Sequence, residues 1–136
     1  MIACGIDLKG SDAIFVILSK NNGIISDKTG SFTKVSLEND EDYRRVQSFF
    51  DTVKMGLDSA APDRIGIIKR HKNGDFAGGS VSFKMEGLIQ LYKNKNMRLI
   101  SWRTVQAFRK KTNLGIKPQY NYQDKAFWLA VYLLEN

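Results

Sequence analysis

The sequence contains almost no cysteine or histidine and no long apolar run. Cys4 is the only cysteine and His71 the only histidine among 136 residues. A disulfide framework, a multi-thiolate metal site and a multi-histidine zinc site therefore cannot be built from this chain alone. A run of about 18 apolar residues, which a transmembrane helix needs, is also missing. We expect no membrane partner, and we expect Cys4 to be a buried, reduced thiol because it lies in an apolar segment.

The composition is typical of one globular domain. Hydrophobic residues make up 43% of the chain and charged residues 26%, which excludes a disordered chain and a fibrous repeat. Residues 1–136 match the usual size of a single domain. Met1 leads directly into a strand-like segment instead of a basic stretch followed by an apolar signal core, so we expect a cytoplasmic protein.

The positive charge is concentrated in one part of the chain. Residues 64–117 contain thirteen lysine and arginine residues but only two acidic ones, whereas the net charge of the whole chain is +7. Such a region attracts phosphate-bearing partners, because binding to a nucleic acid releases counterions. A solvated lysine-rich face has the same composition, so charge alone leaves both interpretations open.

Apolar patterning predicts that three antiparallel strands come first. Residues 1–8 have the pattern of a buried central strand, and residues 13–18 form a second apolar, partly β-branched run after a turn. A third strand region covers residues 24–37, with an interruption near residues 27–31.

Three helices are predicted in the middle of the chain. Apolar residues at helical spacing follow the acidic residues 40–42, whose charge suits a helix N-terminus. Ser80 and Ser101 are the expected N-caps of the second and third helices. Gly87 is expected to let the second helix approach the sheet closely.

The complete order of elements predicts the fold class. Short strands at residues 64–69 and 97–100 separate the helices, and residues 120–134 form a last, strongly apolar helix. We therefore predict an α/β fold with a mixed five-stranded sheet. Three antiparallel strands come first, strand-helix units follow, and helices cover both faces.

This order resembles the ribonuclease H-like fold. The opening Gly5-Ile6-Asp7, followed by a turn and a second apolar strand, is similar to the first motif of RuvC-type resolvases and nucleases. Residues 4–10, residues 72–79 together with 83–86, and residues 123–127 resemble an uncharacterised bacterial family placed in that superfamily. Fold kinship alone does not confer a reaction.

The resemblance implies a site for two divalent ions. Carboxylates in this superfamily stand at the end of the first strand, at the end of the fourth strand and at the start of the final helix, where Mg or Mn ions activate a water for phosphodiester cleavage. Asp7 matches the first place and Asp124 the last. They are the candidate catalytic and metal-binding residues. Asp7 could instead be a structural partner of a lysine, and Asp124 a simple helix N-terminal acid.

The fourth strand departs from the superfamily pattern. Lys69 stands where the superfamily places an acid, and residues 70–72 follow it as Arg, His and Lys. We expect Lys69 to pair with Asp7 and to lower the affinity for metal. Glu86 is the candidate that could replace the missing acid. His71 is a candidate general base, but it has no partner nearby in the sequence.

Three functions remain open. The first is a nucleic-acid-binding domain that descends from a nuclease, with phosphate contacts from basic residues and base stacking on Tyr120 or Tyr122, although these rings could equally pack in the core. The second is an active Mg- or Mn-dependent nuclease. The third is a protein-interaction module. Its interface would be the apolar residues 127–132, and its partner could be a second copy of the chain in a homodimer. The candidate phosphate-binding residues are Arg64, Lys69, Arg70, Lys72, Arg109, Lys110 and Lys111.

Overall fold

The computed structural model describes residues 1–70, 79–92 and 97–136. The strands are β1 (Ile2–Lys9), β2 (Asp12–Asn21), β3 (Ile24–Asp27), β4 (Lys34–Ser36), β5 (Arg64–Ile68) and β6 (Met97–Ile100). The helices are α1 (Tyr43–Ala60), α2 (Ser80–Gln90), α3 (Trp102–Lys110) and α4 (Asp124–Glu135), and a 3-10 turn (Asn121–Gln123) leads into α4.

The strands form one mixed sheet in the order β3-β2-β1-β5-β6. β1 and β2 pair antiparallel, with Ile6 opposite Phe15. β5 lies parallel to β1 on its other side, and β6 lies parallel to β5. The carboxyl ends of β1 and β5 therefore lie at the same edge of the sheet, as the predicted fold class requires.

The predicted third strand is two short strands, so the described residues form a six-stranded sheet instead of a five-stranded one. β3 pairs with one end of β2 and β4 with the other. Between them, the hydroxyl of Thr29 accepts a hydrogen bond of 2.9 Å from the Ile17 backbone N–H. Gly30 adopts a φ of 59°, a left-handed conformation that favours glycine. At the predicted interruption, the Thr29 side chain and the turn at Gly30 therefore take the place of regular backbone hydrogen bonds between the strands.

Helices cover both faces of the sheet, as predicted. Alternate residues of β1 face opposite sides. Cys4 and Ile6 pack in the core with Phe49 of α1 and Met85 of α2. Ala3, on the other face, packs in the core formed with α3 and α4.

Helix α4 packs directly against β1 at Gly5. A Cβ atom at Gly5 would lie 2.0 Å from the carbonyl oxygen of Ala126, so only glycine lets α4 lie this close to β1. Gly87 has no atom within 4 Å of an added Cβ, and it is exposed. The expected packing role of Gly87 is therefore wrong, because this glycine faces solvent.

One of the two predicted helix caps is confirmed. The Ser101 hydroxyl accepts a hydrogen bond from the Thr104 backbone N–H at the start of α3. Ser80 is instead the first residue of α2. The N-cap of α2 is Gly79, which offers no side-chain acceptor. The helix begins one residue earlier than the capping pattern suggests.

The C-terminal apolar run is mostly core. Phe127, Leu129, Ala130 and Val131 are all fully buried, so they do not provide the exposed interface that the interaction-module hypothesis requires.

Cys4 is buried as expected, and burial raises the pKa of its thiol. In the described part of the chain, no helix combines the length and the apolarity that crossing a membrane requires.

Candidate functional site

Asp7 and Asp124 line the same cleft. Asp7 lies near the end of β1, and Asp124 is the first residue of α4. The cleft has a volume of about 290 Å³ and is open to solvent. The structure thus brings together two acids that are separated by more than a hundred residues in sequence. The other lining residues are Leu8, Lys9, Arg70, Asn121, Tyr122 and Lys125.

A buried glutamine fixes the start of α4. The Gln123 side chain donates a hydrogen bond of 3.1 Å to the carbonyl of Phe15 on β2, and it accepts one of 3.1 Å from the Tyr120 backbone N–H. Gln123 is 0% exposed. Together with the close contact at Gly5, these bonds hold Asp124 over the edge of the sheet. Gln123 was not among the predicted site residues, although it lies in the 123–127 segment that carries the family resemblance.

Arg70, and not Lys69, is the cation that forms an ion pair with Asp7. The Arg70 Nη1 atom lies 4.0 Å from Asp7 Oδ1, and the Arg70 side chain is 19% exposed. Lys69 is exposed, and no ion pair joins it to Asp7. The expectation that Lys69 would pair with Asp7 is therefore wrong.

The alternation of side chains along β5 explains this difference. Gly66 and Ile68 face the α4 side of the sheet, since a Cβ added at Gly66 would lie 3.0 Å from Leu133 Cδ1 and Ile68 packs in the core with α4. Arg70 continues that series, whereas Lys69 continues the opposite series. Asp7 stands two residues after Gly5, which also faces α4, so Asp7 and Arg70 share a face.

Asp7 is a buried carboxyl surrounded by cations. It is 6% exposed. Burial raises its pKa, the charges of Lys125, Arg70 and Lys9 lower it, and the balance leaves the pKa above its ordinary value. Burial therefore outweighs three positive charges, which makes the neutral form easier to reach than in water. A buried acid with a raised pKa in a cleft is a candidate for a functional site.

Asp124 is also paired with an arginine. Its Oδ2 atom accepts a hydrogen bond of 3.0 Å from Arg109 Nη1 on α3, in an ion pair in which both side chains remain more than two-fifths exposed. The Arg109 guanidinium also lies over the ring of Trp128, 5.3 Å from its centroid. Arg109 therefore contributes to this site as the partner of an acid. Lys110 and Lys111, which follow it at the end of α3, are exposed.

Glu86 does not line the cleft. It lies on α2, whose buried residues Met85 and Ile89 pack on the face of the sheet opposite α4. Its Oε2 atom is buried without a hydrogen-bond partner. The expectation that Glu86 completes the acidic site is wrong for this structure, because its helix covers the other face.

The described residues do not fit a centre for two divalent ions. In residues 1–70, 79–92 and 97–136, no three acidic, histidine or cysteine side chains converge as a metal site would require. The two acids that do line one cleft each face an arginine. Lys72 and His71, together with most of the glycine-containing loop after β5, lie outside the described residues.

Two exposed tyrosines form a parallel stack, and one of them, Tyr122, lines this cleft. The ring centroids of Tyr120 and Tyr122 are 5.4 Å apart, and their planes differ by 10°. The residues are 46% and 36% exposed, respectively. The ammonium of Lys34 on β4 lies 4.9 Å from the centroid of the Tyr122 ring. The alternative that these rings pack in the core is therefore wrong.

Solved structures of RuvC-type resolvases have the same fold. Thermus thermophilus RuvC matches with a TM-score of 0.74 at 12% identity, over 96% of this chain and 92% of that chain. The T. thermophilus RuvC structure in complex with a Holliday junction substrate matches with a TM-score of 0.68 at 13% identity, over 96% and 91% of the two chains. The yeast mitochondrial Holliday junction resolvase Ydc2 matches with a TM-score of 0.52 at 12% identity, over 98% of this chain and 68% of that chain. At these identities the likeness shows the ribonuclease H-like fold.

Sequence comparison assigns the family. No significant match is found among curated proteins. The sequence profile described as "Protein of unknown function (DUF3010)" matches residues 1–133. This chain shares the fold of the RuvC-type resolvases. Since the profile match covers nearly its whole length, the chain belongs to the DUF3010 family.

Proposed function

We propose that this chain is a nucleic-acid-binding domain of RuvC type that has lost most or all of its nuclease activity. The observation that carries the proposal is the Arg70 guanidinium, which lies 4.0 Å from Asp7 inside the cleft. An arginine there competes with a cation for the carboxylate and at the same time presents N–H donors to a phosphate.

The charges of the cleft favour an anionic ligand. Lys9, Arg70 and Lys125 line it together with the two acids. Asp124 is already partnered by Arg109, which leaves Asp7 as the one lining acid for the three cations. The positive side chains are therefore only partly neutralised, which suits contacts with a sugar-phosphate backbone.

Branched DNA is the substrate class we propose. One of the similar structures is RuvC bound to a Holliday junction substrate, and Ydc2 is named a Holliday junction resolvase. Our proposal transfers the binding of such DNA to this chain but not its cleavage, since the described donor set does not fit a two-metal centre.

The direct test is a binding titration at several salt concentrations. Fluorescence anisotropy should be measured with a labelled four-way junction, one of its duplex arms and one of its single strands. If the three lining cations each contact a phosphate, affinity should fall about 40-fold between about 50 and about 200 mM salt, since each contact contributes a slope of about −0.9. Affinity that does not change with salt would contradict the proposal.

Neighbouring variants provide a matched control. Arg70→Gln should weaken binding and should reduce the salt slope by about one contact. Lys69→Gln removes the same charge from the next residue, but Lys69 is not part of the proposed surface because it follows the opposite series of β5. Equal losses in the two variants would show that only overall charge matters.

The alternative function is an active metal-dependent nuclease. The observation that favours it is the shared cleft of Asp7 and Asp124, whose oxygen atoms are the donors that Mg²⁺ prefers. Its test is incubation of junction, duplex and single-stranded DNA, and of RNA hybrids, with Mg²⁺ or Mn²⁺. Cleavage by wild type that is lost in Asp7→Asn would establish this function, and equal or absent cleavage in both would remove it.

A further inference from the structure

We infer that Tyr120, Tyr122 and Lys34 form a platform on which an unpaired base stacks while the adjacent phosphates lie in the cleft. This inference rests on the proposed nucleic-acid binding and adds a preference for strands with unpaired bases. We call the three residues the aromatic platform.

The first argument is the geometry of the rings. Two tyrosines with planes only 10° apart already form a stack. Lys34 lies over the Tyr122 ring, so Tyr120, which is 46% exposed, is the ring that offers its outer surface to a base. Every base has a π-face, so such a surface binds unpaired bases without regard to sequence. Bases within a duplex are already stacked on each other and do not offer this face.

The second argument is that the platform is held in place before any ligand binds. Tyr120 is attached through its backbone N–H to the buried Gln123 side chain, 3.1 Å away. The Tyr120 hydroxyl accepts a hydrogen bond of 3.3 Å from Gln119 Nε2. Lys34 lies over the Tyr122 ring from a strand of the sheet. A preorganised surface loses less conformational entropy on binding than mobile side chains do.

The third argument is continuity with the cationic cleft. Tyr122 lines the same cleft as Asp7, Arg70 and Lys125. A strand that places one base on the platform therefore has its phosphates next to these cations. Lys34 adds a positive charge on the platform itself, which attracts the strand and polarises the ring.

The experiment uses a short single strand in which 2-aminopurine replaces one base, together with a duplex of the same sequence. Stacking of 2-aminopurine on the platform should quench its fluorescence when wild type binds the single strand. Tyr122→Leu and Tyr120→Leu should remove this quenching and weaken single-strand binding at least about fivefold, the loss that about 1 kcal/mol of stacking produces. Duplex binding should stay within about twofold, since no base is exposed there.

Two controls separate stacking from other effects. Tyr122→Phe keeps the ring and should keep both the quenching and the affinity. Tyr43→Leu changes an exposed tyrosine on α1, on the opposite face of the sheet from α4, and should change neither.

The possible failures are distinguishable. If wild type binds the single strand in a salt-dependent manner but the leucine variants retain both quenching and affinity, the platform is refuted and the proposed function stands. If wild type binds neither probe at low salt, the proposed function itself fails. Equal loss of single-strand and duplex binding in the leucine variants would also refute the platform, because the rings would then act through general structure.

Discussion

Arg70 and Asp7 should show a measurable coupling free energy in protein stability, whereas Lys69 and Asp7 should show none. The perturbation is a double-mutant cycle with Arg70→Gln, Asp7→Asn and the combination of both. A cycle is needed because Arg70→Gln has a second effect: the Nε atom of Arg70 is buried without a hydrogen-bond partner, and its removal relieves that cost. The cycle cancels this effect and leaves the interaction between the two charges.

The distance sets the size of the coupling. Two unit charges 4.0 Å apart attract each other by about 4 kcal/mol at the effective dielectric constant of about 20 that suits protein sites. The pair falls short of this ceiling because Arg70 is 19% exposed, so water screens its charge. We expect a coupling of about 1–2 kcal/mol at neutral pH.

The assay is urea unfolding followed by circular dichroism at several pH values. The coupling should disappear as the pH falls through the folded-state pKa of Asp7, because a protonated carboxyl no longer attracts the guanidinium. The cycle with Lys69→Gln in place of Arg70→Gln should give no coupling beyond about 0.5 kcal/mol. Two results would refute the ion pair between Arg70 and Asp7. One is a coupling of Lys69 to Asp7 as large as that of Arg70, and the other is a coupling of Arg70 to Asp7 that persists in acid.

Two further predictions concern stability. Because the pKa of Asp7 is raised in the folded protein, the folded state binds more protons than the unfolded chain above the ordinary pKa, and stability falls as the pH rises through the folded-state value. Asp7→Asn should therefore unfold at higher urea concentration than wild type at neutral pH and lose this pH dependence; a less stable variant would contradict the assigned sign. Gly5→Ala should cost at least about 3 kcal/mol, since its Cβ would meet the Ala126 backbone. Gly87→Ala, in an exposed helix interior, should gain about 0.5–1 kcal/mol in the same unfolding assay, and equal effects of the two alanines would refute this packing description.

Much of the fold could be predicted from the sequence because the signals are local. Strands and helices follow from the spacing of apolar residues, and the mixed sheet follows from their order. The division of the third strand could not be predicted in detail, because it depends on the Thr29 hydroxyl reaching across to β2. The role of Gly5 was hidden for a similar reason, since a glycine in a strand does not show which helix will contact it.

The site was predicted only in part. Asp7 and Asp124 came from a motif resemblance, and the structure places both at one cleft. Their functional roles stay predictions. Lys69 was predicted to pair with Asp7 because it stands at the end of the predicted strand. That position alone does not show on which face of the sheet a side chain lies. A comparison of Gly5 with Gly66, both of which face α4, would have placed Arg70 on the side of Asp7. The prediction that Glu86 completes the acidic site was wrong because sequence spacing cannot show on which side of a sheet a helix packs.

The most direct measurement compares Mn²⁺ binding by wild type, Arg70→Glu and Lys69→Glu, through thermal unfolding with and without the ion. Arg70→Glu removes the ion-pair partner of Asp7 and supplies a third carboxylate, so Mn²⁺ should stabilise this variant, by about 2.7 kcal/mol at a concentration about 100 times the Kd. Wild type and Lys69→Glu should show no specific stabilisation. Equal stabilisation of all three proteins, or a gain in Lys69→Glu alone, would contradict the claim that an arginine occupies the place of a metal ion in this cleft.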